Sequence, residues 1–252
     1  MRLQHATWQE VEAYLAHSRG IIVPIGSTEQ HGPNGLVGTD ALCPESIAWA
    51  LGEQHGVLVG PTQAIGMAQH HLAFPGTISL RPSTLVAVLR DTIESLARHG
   101  FTHVFFINGH GGNIATVKAA FAEVYSERSL RGSHSAESPL ALGLFNWFMG
   151  RRGRELAAKL YADDEGYHAT ASEVSLAWYA AGTEKPVAMS PRVAPNGSAE
   201  CDAETFRQRF PDGRMGSDPS LSSARHGERF LALGVEDAWE AYQAFLGDTP
   251  AG

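Results

Sequence analysis

The sequence contains little cysteine. Its 252 residues include two cysteines, Cys43 and Cys201, which lie far apart and form no Cys-x-x-Cys pair. A thiolate zinc site needs closely spaced cysteines, and a disulfide framework needs a larger even number of them. Neither feature is therefore predicted.

Long apolar runs are also lacking. No uninterrupted apolar stretch approaches the ~18 residues that a membrane-spanning helix needs. The first residues, Met1–His5, carry charge but no apolar segment of the kind found in a secretory signal. The expectation is a cytoplasmic protein that makes no membrane contact.

Positive charge is the third scarce property. Lys and Arg number 19 and Asp and Glu number 27, so the net charge is −8 with neutral histidines. Beyond Arg151–Arg154 there is no basic cluster, which argues against a nucleic-acid partner. In contrast, 43% of the residues are hydrophobic, which is too many for a disordered chain. This length and composition suit a single α/β domain, which we expect to cover residues 1–252.

Short apolar runs and helical spacings predict that strands and helices alternate. The predicted strands are Ile21–Ile25, Val57–Val59, His103–Ile107 and Leu140–Phe145. The predicted helices are Cys43–His55, Ser83–His99, Asn113–Arg128 and Ala224–Phe245. Strands separated by helices of this length favour a largely parallel sheet that is covered on both faces. From residue 182 to about residue 221 the chain is rich in Pro, Gly, Ser and charge, so we expect a long irregular segment.

Polar residues follow the first predicted strand. Gly26–Pro33 reads GSTEQHGP, and Gly38–Asp40 comes shortly afterwards. In an open parallel sheet, ligands bind outside the carboxyl ends of the strands. Glu29 and His31 point the same way in an extended chain, and Asp40 can return to them across the Gly- and Pro-rich turn. A Glu, a His and an Asp at one strand end favour a divalent-metal site with mixed nitrogen and oxygen ligands.

A glycine-rich motif follows the third predicted strand. Residues 108–113 read NGHGGN, so three glycines surround His110. The glycines let the backbone turn sharply and leave room beside the imidazole. One interpretation makes His110 a metal ligand, and the other makes the motif a turn that binds a phosphate at the N-terminus of the next helix. The ligand types favour the metal interpretation.

His168 and Glu173 form a third, weaker cluster. In a regular helix, a separation of five residues places two side chains roughly 140° apart, so they do not share a face. The two can converge only if His168 precedes the helix and Thr170 or Ser172 caps it. On the sequence alone, Glu173 fits a solvated helix position equally well.

Two other candidates are less favoured. His70 and His71 precede Phe74–Thr77, a predicted turn that could form the wall of a pocket, but paired histidines in loops are usually solvated. Ser27 lacks the G-x-S-x-G frame of a nucleophile elbow. A serine hydrolase is therefore excluded.

Together, these motifs resemble the creatininase family, the creatinine amidohydrolase-like proteins. The resemblance runs from about residue 7 to about residue 245. The Glu-x-His…Asp motif is highly specific when it is joined to Gly-His-Gly-Gly-Asn. The matching segments are Pro24–Pro33 with Gly38–Asp40, Phe74–Thr77, Asn108–Asn113, His168-Ala169 with Glu173 and Ser175, and Gly213–Pro219 followed by Ala224–Glu228.

The resemblance implies a three-layer αβα sandwich around a mostly parallel sheet, with two divalent metal ions (zinc, manganese or iron) per subunit. It also implies a homo-oligomer, often a hexamer. His168 matches the family histidine thought to handle the proton, which makes His168 and Glu173 the implied catalytic residues. The implied metal ligands are Glu29 and His110 for one ion, His31 for the other, Asp40 as the bridge and Glu173 as the remaining carboxylate.

The reaction implied by the resemblance is hydrolysis of a non-peptide C–N bond in a small amide, lactam or formamide by metal-activated water. Creatininases look like Gly-His-Tyr-Glu-Asn at the second motif, whereas this chain has Gly111 and Gly112. Creatinine is therefore not the expected substrate. Deformylation of a pyrimidine nucleotide intermediate and trimming of a modified peptide are the alternatives within the family. A non-catalytic relative that binds a small molecule is the alternative of another class.

Overall fold

The computed structural model describes residues 1–131 and 139–247, and a parallel four-stranded sheet lies at its centre. Its strands are β1 Gly20–Ile25, β2 Leu58–Val59, β3 His103–Asn108 and β4 Ala141–Asn146. The predicted strands each agree with the observed ones to within one residue at either end. In the sheet the strands lie in the order β2-β1-β3-β4, and all three pairings between neighbours are parallel.

Helices cover both faces of this sheet. Three of them confirm the helices that were predicted over Ser83–His99, Asn113–Arg128 and Ala224–Phe245. The helices are α1 Trp8–Leu15, α2 Thr39–His55, α3 Pro82–Arg98, α4 Asn113–Arg131, α5 Arg151–Tyr161, α6 Ala171–Ala181, α7 Ala203–Arg209 and α8 Ala224–Gly247.

Two hydrophobic cores separate the layers. Successive strand residues point to opposite faces of a sheet. Ile22 and Phe105 belong to a core that they share with α2, α5, α6 and α8. Ile21 and Val104 belong to a second core, shared with α1, α3 and α4. The fold is therefore the expected three-layer αβα sandwich, and burial on both faces explains why the strands read as continuous apolar runs.

Three expectations about local structure need correction. The helix expected from Cys43 begins four residues earlier, at Thr39, because the apolar spacing that predicts the helix does not extend to Thr39 and Asp40 in its first turn. The segment expected to be irregular contains the seven-residue helix α7. Helix α1 was not predicted, although Thr7 and Glu10 form a capping box at its start, and such a spacing is readable in a sequence.

The extent of the domain is not settled by these elements. The expectation of one domain over residues 1–252 stays a prediction, and residues 132–138 and 248–252 lie outside the described part of the chain. Within the described part, no helix combines the length and the apolar character needed to cross a membrane.

Candidate metal centre

The sequence-predicted ligands meet at the carboxyl edge of the sheet. Glu29 and His31 follow β1, His110 follows β3, and Asp40 lies in the first turn of α2. All four side chains are buried. Glu173 reaches the same place from the first turn of α6. The chain thus brings together groups that are separated by more than half of its sequence.

The first turn of α2 lies very close to two strand ends. A Cβ atom on Gly26 would stand 2.0 Å from the carbonyl oxygen of Asp40, and one on Gly109 would stand 2.1 Å from the same atom. Pro44 has no N–H to donate to that carbonyl four residues earlier. Glycine at both strand ends therefore allows the backbone of Asp40 to sit between β1 and β3.

Asp40 lies between two histidines. Its Oδ1 is 3.0 Å from Nε2 of His31, and its Oδ2 is 2.9 Å from Nδ1 of His110. Asp40 is consequently shared by two groups whose potential ligand atoms lie within 4.8 Å of one another. One group adds Glu29 and His110, and the other adds His31 and Glu173.

Glu29 supplies the most deeply buried carboxylate. Its Oε1 is 3.2 Å from Nε2 of His71, and its Oε2 is 3.3 Å from Nε2 of His110. Among the described residues, neither oxygen has a hydrogen-bond partner of good geometry, and the same holds for Oδ2 of Asp40. Burying a carboxylate without partners is costly, so these oxygens indicate a site built for a cation.

Hydrogen bonds to the backbone fix the orientation of two histidine rings. Nδ1 of His31 is 3.1 Å from the carbonyl oxygen of Glu29, and Nε2 of His110 is 3.0 Å from the carbonyl oxygen of Met67. A carbonyl can only accept, so each of these nitrogens carries the hydrogen. The other nitrogen of each ring faces Asp40 and is the one available to a metal ion.

The three carboxylates change the proton affinities of this cluster. Burial would lower the pKa of His31, but Asp40, Glu173 and Glu29 raise it to about 10. The pKa of His110 is likewise raised to about 9 against the effect of burial. Burial is also the main reason that the pKa of Glu173 rises to about 7. The carboxylates therefore favour positive charge within the cluster. When no metal ion is present, that charge is carried by the protonated rings of His31 and His110.

His168 and Glu173 satisfy the condition that the sequence set for them. Thr170 is the N-cap of α6 and forms a capping box with Glu173, while His168 precedes the helix and pairs with Met215. Between them Ala169 has φ of +53°, an uncommon conformation for a residue with a side chain. Glu173 therefore faces His31, with Oε1 4.0 Å from Nε2, and is not a solvated helix residue.

Glu165 has a different environment. Its Oε1 accepts a hydrogen bond from the Ser172 hydroxyl, and its Oε2 accepts one from the Ser172 amide at 3.3 Å. It belongs to none of the potential metal-binding groups found among the described residues.

His71 was missed by the sequence argument. The expectation that His70 and His71 are solvated is wrong, because both are buried. The ring of His71 stacks on that of His168 at a centroid distance of 4.3 Å. The available signal was the neighbouring turn, Phe74–Thr77, whose Thr77 hydroxyl accepts a hydrogen bond from the amide of Gln30.

A cleft of about 360 Å³ opens above His110 and His168. Phe206 and Met215 contribute apolar surface, and Glu200 contributes a carboxylate. No Lys or Arg of the described chain lines it. The chain is thus open to a small molecule directly above the cluster of ligands, in a cleft without a basic group to bind phosphate.

Gly111 and Gly112 differ sharply in their surroundings. A Cβ on Gly112 would lie 2.4 Å from Nε2 of His110 and 2.7 Å from the carbonyl oxygen of Met67, whereas one on Gly111 would meet no atom within 4 Å. A side chain at residue 112 would therefore displace His110. A side chain at residue 111 would extend into open space.

These two glycines form a matched test of how His110 is positioned. Gly112→Ala is expected to weaken metal binding by about 10- to 100-fold, by analogy with the loss of a residue that orients a ligand. Gly111→Ala should leave the affinity within about threefold of the wild type, since the added methyl group contacts nothing and such substitutions usually change free energies by no more than about 0.5 kcal/mol. Competition with a chromogenic chelator measures both. Equal effects of the two substitutions would contradict the assigned role of Gly112.

Comparison with known proteins agrees with this geometry. Residues 4–242 match the family model "Creatininase: Creatinine amidohydrolase". The chain is 36% identical over 108 residues to the mycofactocin precursor peptide peptidase of Mycolicibacterium smegmatis, covering 40% of this chain and 43% of that protein. It is 35% identical over 113 residues to the creatinine amidohydrolase of Pseudomonas putida, covering 42% of this chain and 44% of that protein. The matched segments thus span less than half of these relatives.

A solved structure extends the similarity over almost the whole chain. The structure described as "Creatininase Mn" superposes with a TM-score of 0.80 at 25% identity, covering 96% of this chain and 97% of the other. A family match over nearly all residues and a shared fold lead to one conclusion. The chain belongs to the creatininase family.

Proposed function

We propose that this protein is a dinuclear metal-dependent amidohydrolase. Asp40 carries the proposal, because its two oxygens face two separate groups of ligands. Glu29 and His110 would hold one ion together with Asp40. The second ion would be held by His31, Glu173 and the same Asp40 carboxylate.

The residues fit such ions. Buried carboxylate oxygens without hydrogen-bond partners lie beside the two rings, and the nitrogen of each ring that faces Asp40 becomes free to bind an ion once it loses its proton. Mixed nitrogen and oxygen ligands suit zinc, manganese or iron better than magnesium or calcium, which prefer oxygen alone. The manganese of one structurally similar creatininase supports the same range.

The cleft and His168 supply the rest of the proposed chemistry. When bound, the ions would lower the pKa of water and polarise the carbonyl group of an amide. Phe206 and Met215 would hold the substrate against these groups and exclude water. His168, whose ring borders the cleft, would carry a proton to the departing nitrogen, a task that suits imidazole near neutral pH.

The cleft also limits the substrate. Non-peptide amides, lactams and formamides of small molecules are the proposed class. A pyrimidine nucleotide is disfavoured, because no Lys or Arg of the described residues lines the cleft and Glu200 would repel a phosphate. Creatinine is disfavoured because the open space at Gly111 takes the place of the aromatic side chain seen in creatininases.

A short peptide is the second candidate substrate. The open, largely apolar cleft suits a peptide segment, and two of the relatives described as mycofactocin precursor peptide peptidases are 33% and 36% identical to this chain over the matched segments. A binding protein without activity is the alternative of another class. A homo-oligomer, such as the hexamer implied by the family resemblance, stays a prediction.

Metal content is the first test of this function. Mass spectrometry of tag-free protein is expected to find about two divalent ions per chain, which chelation removes and reconstitution restores. The loaded protein should hydrolyse at least one member of a panel of amides, lactams, formamides and short peptides. Protein that regains no ion would contradict the mechanism. Loaded protein that is inert across the panel would favour the binding protein.

Metal affinity is predicted to rise with pH. His31 and His110 have pKa values of about 10 and about 9, so both carry an extra proton at pH 7. Each would have to lose that proton to bind an ion, and Glu173, whose pKa is about 7, would lose about half a proton more. Loading should therefore release about two to three protons per chain. Affinity is fully developed above these pKa values and falls as the pH drops below them.

Calorimetry in buffers of different ionisation enthalpy counts the released protons. Loading of His110→Asn is expected to release about one proton fewer, since it removes one of the two titrating rings. Binding that releases no proton at pH 7 would contradict the assignment of these histidines as ligands.

A further inference from the structure

Gln30 lies between Glu29 and His31, the two proposed metal ligands that follow β1. Its side chain is buried but has no charged group with which to bind a metal ion. Its side-chain oxygen accepts a hydrogen bond of 2.8 Å from the amide of Gly32. A backbone amide can only donate, so this contact identifies which end of the Gln30 amide is oxygen. The other end is an NH₂ group with two hydrogens to donate.

Three acceptors compete for these two hydrogens. Nε2 of Gln30 is 2.9 Å from the carbonyl oxygen of Gly213, 2.9 Å from Nδ1 of His71 and 2.9 Å from Nε2 of His168. The Gly213 carbonyl takes one hydrogen, because it can only accept. A single hydrogen is left for two histidines.

The backbone of Gln30 decides between them. Nε2 of His168 is also 2.9 Å from the carbonyl oxygen of Gln30. That carbonyl needs a donor, so Nε2 of His168 carries a hydrogen and cannot accept one from the Gln30 side chain. The second hydrogen of the Gln30 amide therefore goes to Nδ1 of His71.

These contacts place a hydrogen on Nε2 of both rings, and among the described residues no acceptor lies within hydrogen-bond distance of Nδ1 of His168. The two rings face Glu29 in opposite ways. His71 turns its N–H side to the carboxylate, with Nε2 3.2 Å from Oε1. His168 turns its lone pair towards it, with Nδ1 3.8 Å from the same oxygen. A lone pair on His71 at 3.2 Å would instead repel the carboxylate.

We propose that Gln30 is a positioning residue, which makes His71 turn its N–H side towards the centre through its side chain and makes His168 turn Nδ1, as an acceptor, towards it through its main chain. This inference rests on the proposed function for its meaning in catalysis. The hydrogen positions themselves do not depend on that function.

Long-range ¹H–¹⁵N spectra of protein labelled at histidine read these positions directly. Both His71 and His168 are expected to carry hydrogen on Nε2 in the wild type. In Gln30→Met, which keeps the chain length but removes the amide, the Nδ1 signal of His71 should shift, because that nitrogen loses the hydrogen bond that it accepts and Glu29 alone then holds the hydrogen on Nε2. His168 should keep its hydrogen on Nε2, because the carbonyl of residue 30 remains. Substitution of His71 and of His168 one at a time assigns the signals.

Metal affinity supplies a second readout. Gln30→Met is expected to bind metal about 10- to 100-fold more weakly, as is usual when a group that orients a ligand sphere is lost. Gln63→Met is the matched control, since the side-chain amide of Gln63 donates to the carbonyl of Ile65 instead. Its affinity and both histidine signals should match the wild type.

Two results would overturn the proposal. One is hydrogen on Nδ1 of His71 or of His168 in the wild type, and the other is an unchanged His71 signal in Gln30→Met. The spectra can be recorded on protein free of metal, so they test this inference even if the protein binds no ion and hydrolyses nothing. A protein that binds no ion and hydrolyses nothing would contradict the proposed function but not the role of Gln30.

Discussion

Asp40→Asn is expected to remove both metal ions and to lower kcat/KM by at least about 10³-fold, since metal ions contribute several kcal/mol to the stabilisation of the transition state. The amide of Asn has one oxygen and no charge, whereas the two oxygens of Asp40 lie 3.0 Å and 2.9 Å from His31 and His110. Asn would also place an NH₂ group against one of these rings. Both groups of ligands should therefore fail together.

The measurement is metal content per chain alongside hydrolysis of the best substrate found for the wild type. Asp163→Asn makes the same chemical change on the exposed surface and should retain about two ions and full activity. Circular dichroism checks that Asp40→Asn remains folded. Retention of two ions by a folded Asp40→Asn protein would contradict the bridging assignment.

Glu173→Gln is expected to reduce the metal content from about two ions per chain to about one, with a fall in activity of about 100-fold or more. Glu173 is the carboxylate that lies nearest to His31 after Asp40, and it belongs to the potential ligand group built on His31. A Gln oxygen can still accept the hydrogen bond from the amide of Thr170, so α6 should keep its N-terminal cap. The change therefore isolates the charge.

Glu165→Gln provides the matched comparison, since both glutamates are half-buried near the start of α6. The Glu165 carboxylate accepts hydrogen bonds from the amide and the hydroxyl of Ser172. In Gln, the oxygen can accept from that amide while the NH₂ group donates to the hydroxyl, which can also act as an acceptor. The metal content of Glu165→Gln should equal that of the wild type. If Glu165→Gln lowered the metal content and Glu173→Gln did not, the assignment of Glu173 to the second ion would be wrong.

The sheet and the first two motifs could be predicted because their signals are local. Continuous apolar runs mark β1 and β3, and the polar residues that follow them must meet at one edge of a parallel sheet. That rule is enough to predict that Glu29, His31 and His110 lie close together. Helix α2 was placed too late in the chain, because Thr39 and Asp40 in its first turn lie outside the apolar spacing that predicts a helix.

The remaining features depend on tertiary contacts that a single sequence does not display. His71 was expected in solvent, since nothing in its local sequence shows that Gln30 and Phe206 enclose it. The sequence could show only that His168 and Glu173 converge if His168 precedes the helix. It could not show that His168 does so, because His168 is held by pairing with Met215, which is distant in sequence. Periodicity reports which face of an element is apolar, and it carries no information on which loop lies above a strand end.

Gly26 and Gly109 leave room for the carbonyl of Asp40 between two strand ends, and this close approach has a consequence for how the family can change. Any side chain at either glycine would push the first turn of α2 and move the shared carboxylate relative to both groups of ligands at once. Selection or laboratory evolution for another metal or substrate cannot adjust one half of the centre by this route. Variation is instead open at positions such as Gly111, where an added side chain meets empty space, so diversity in this lineage should accumulate around the cleft while the backbone frame beneath it stays unchanged.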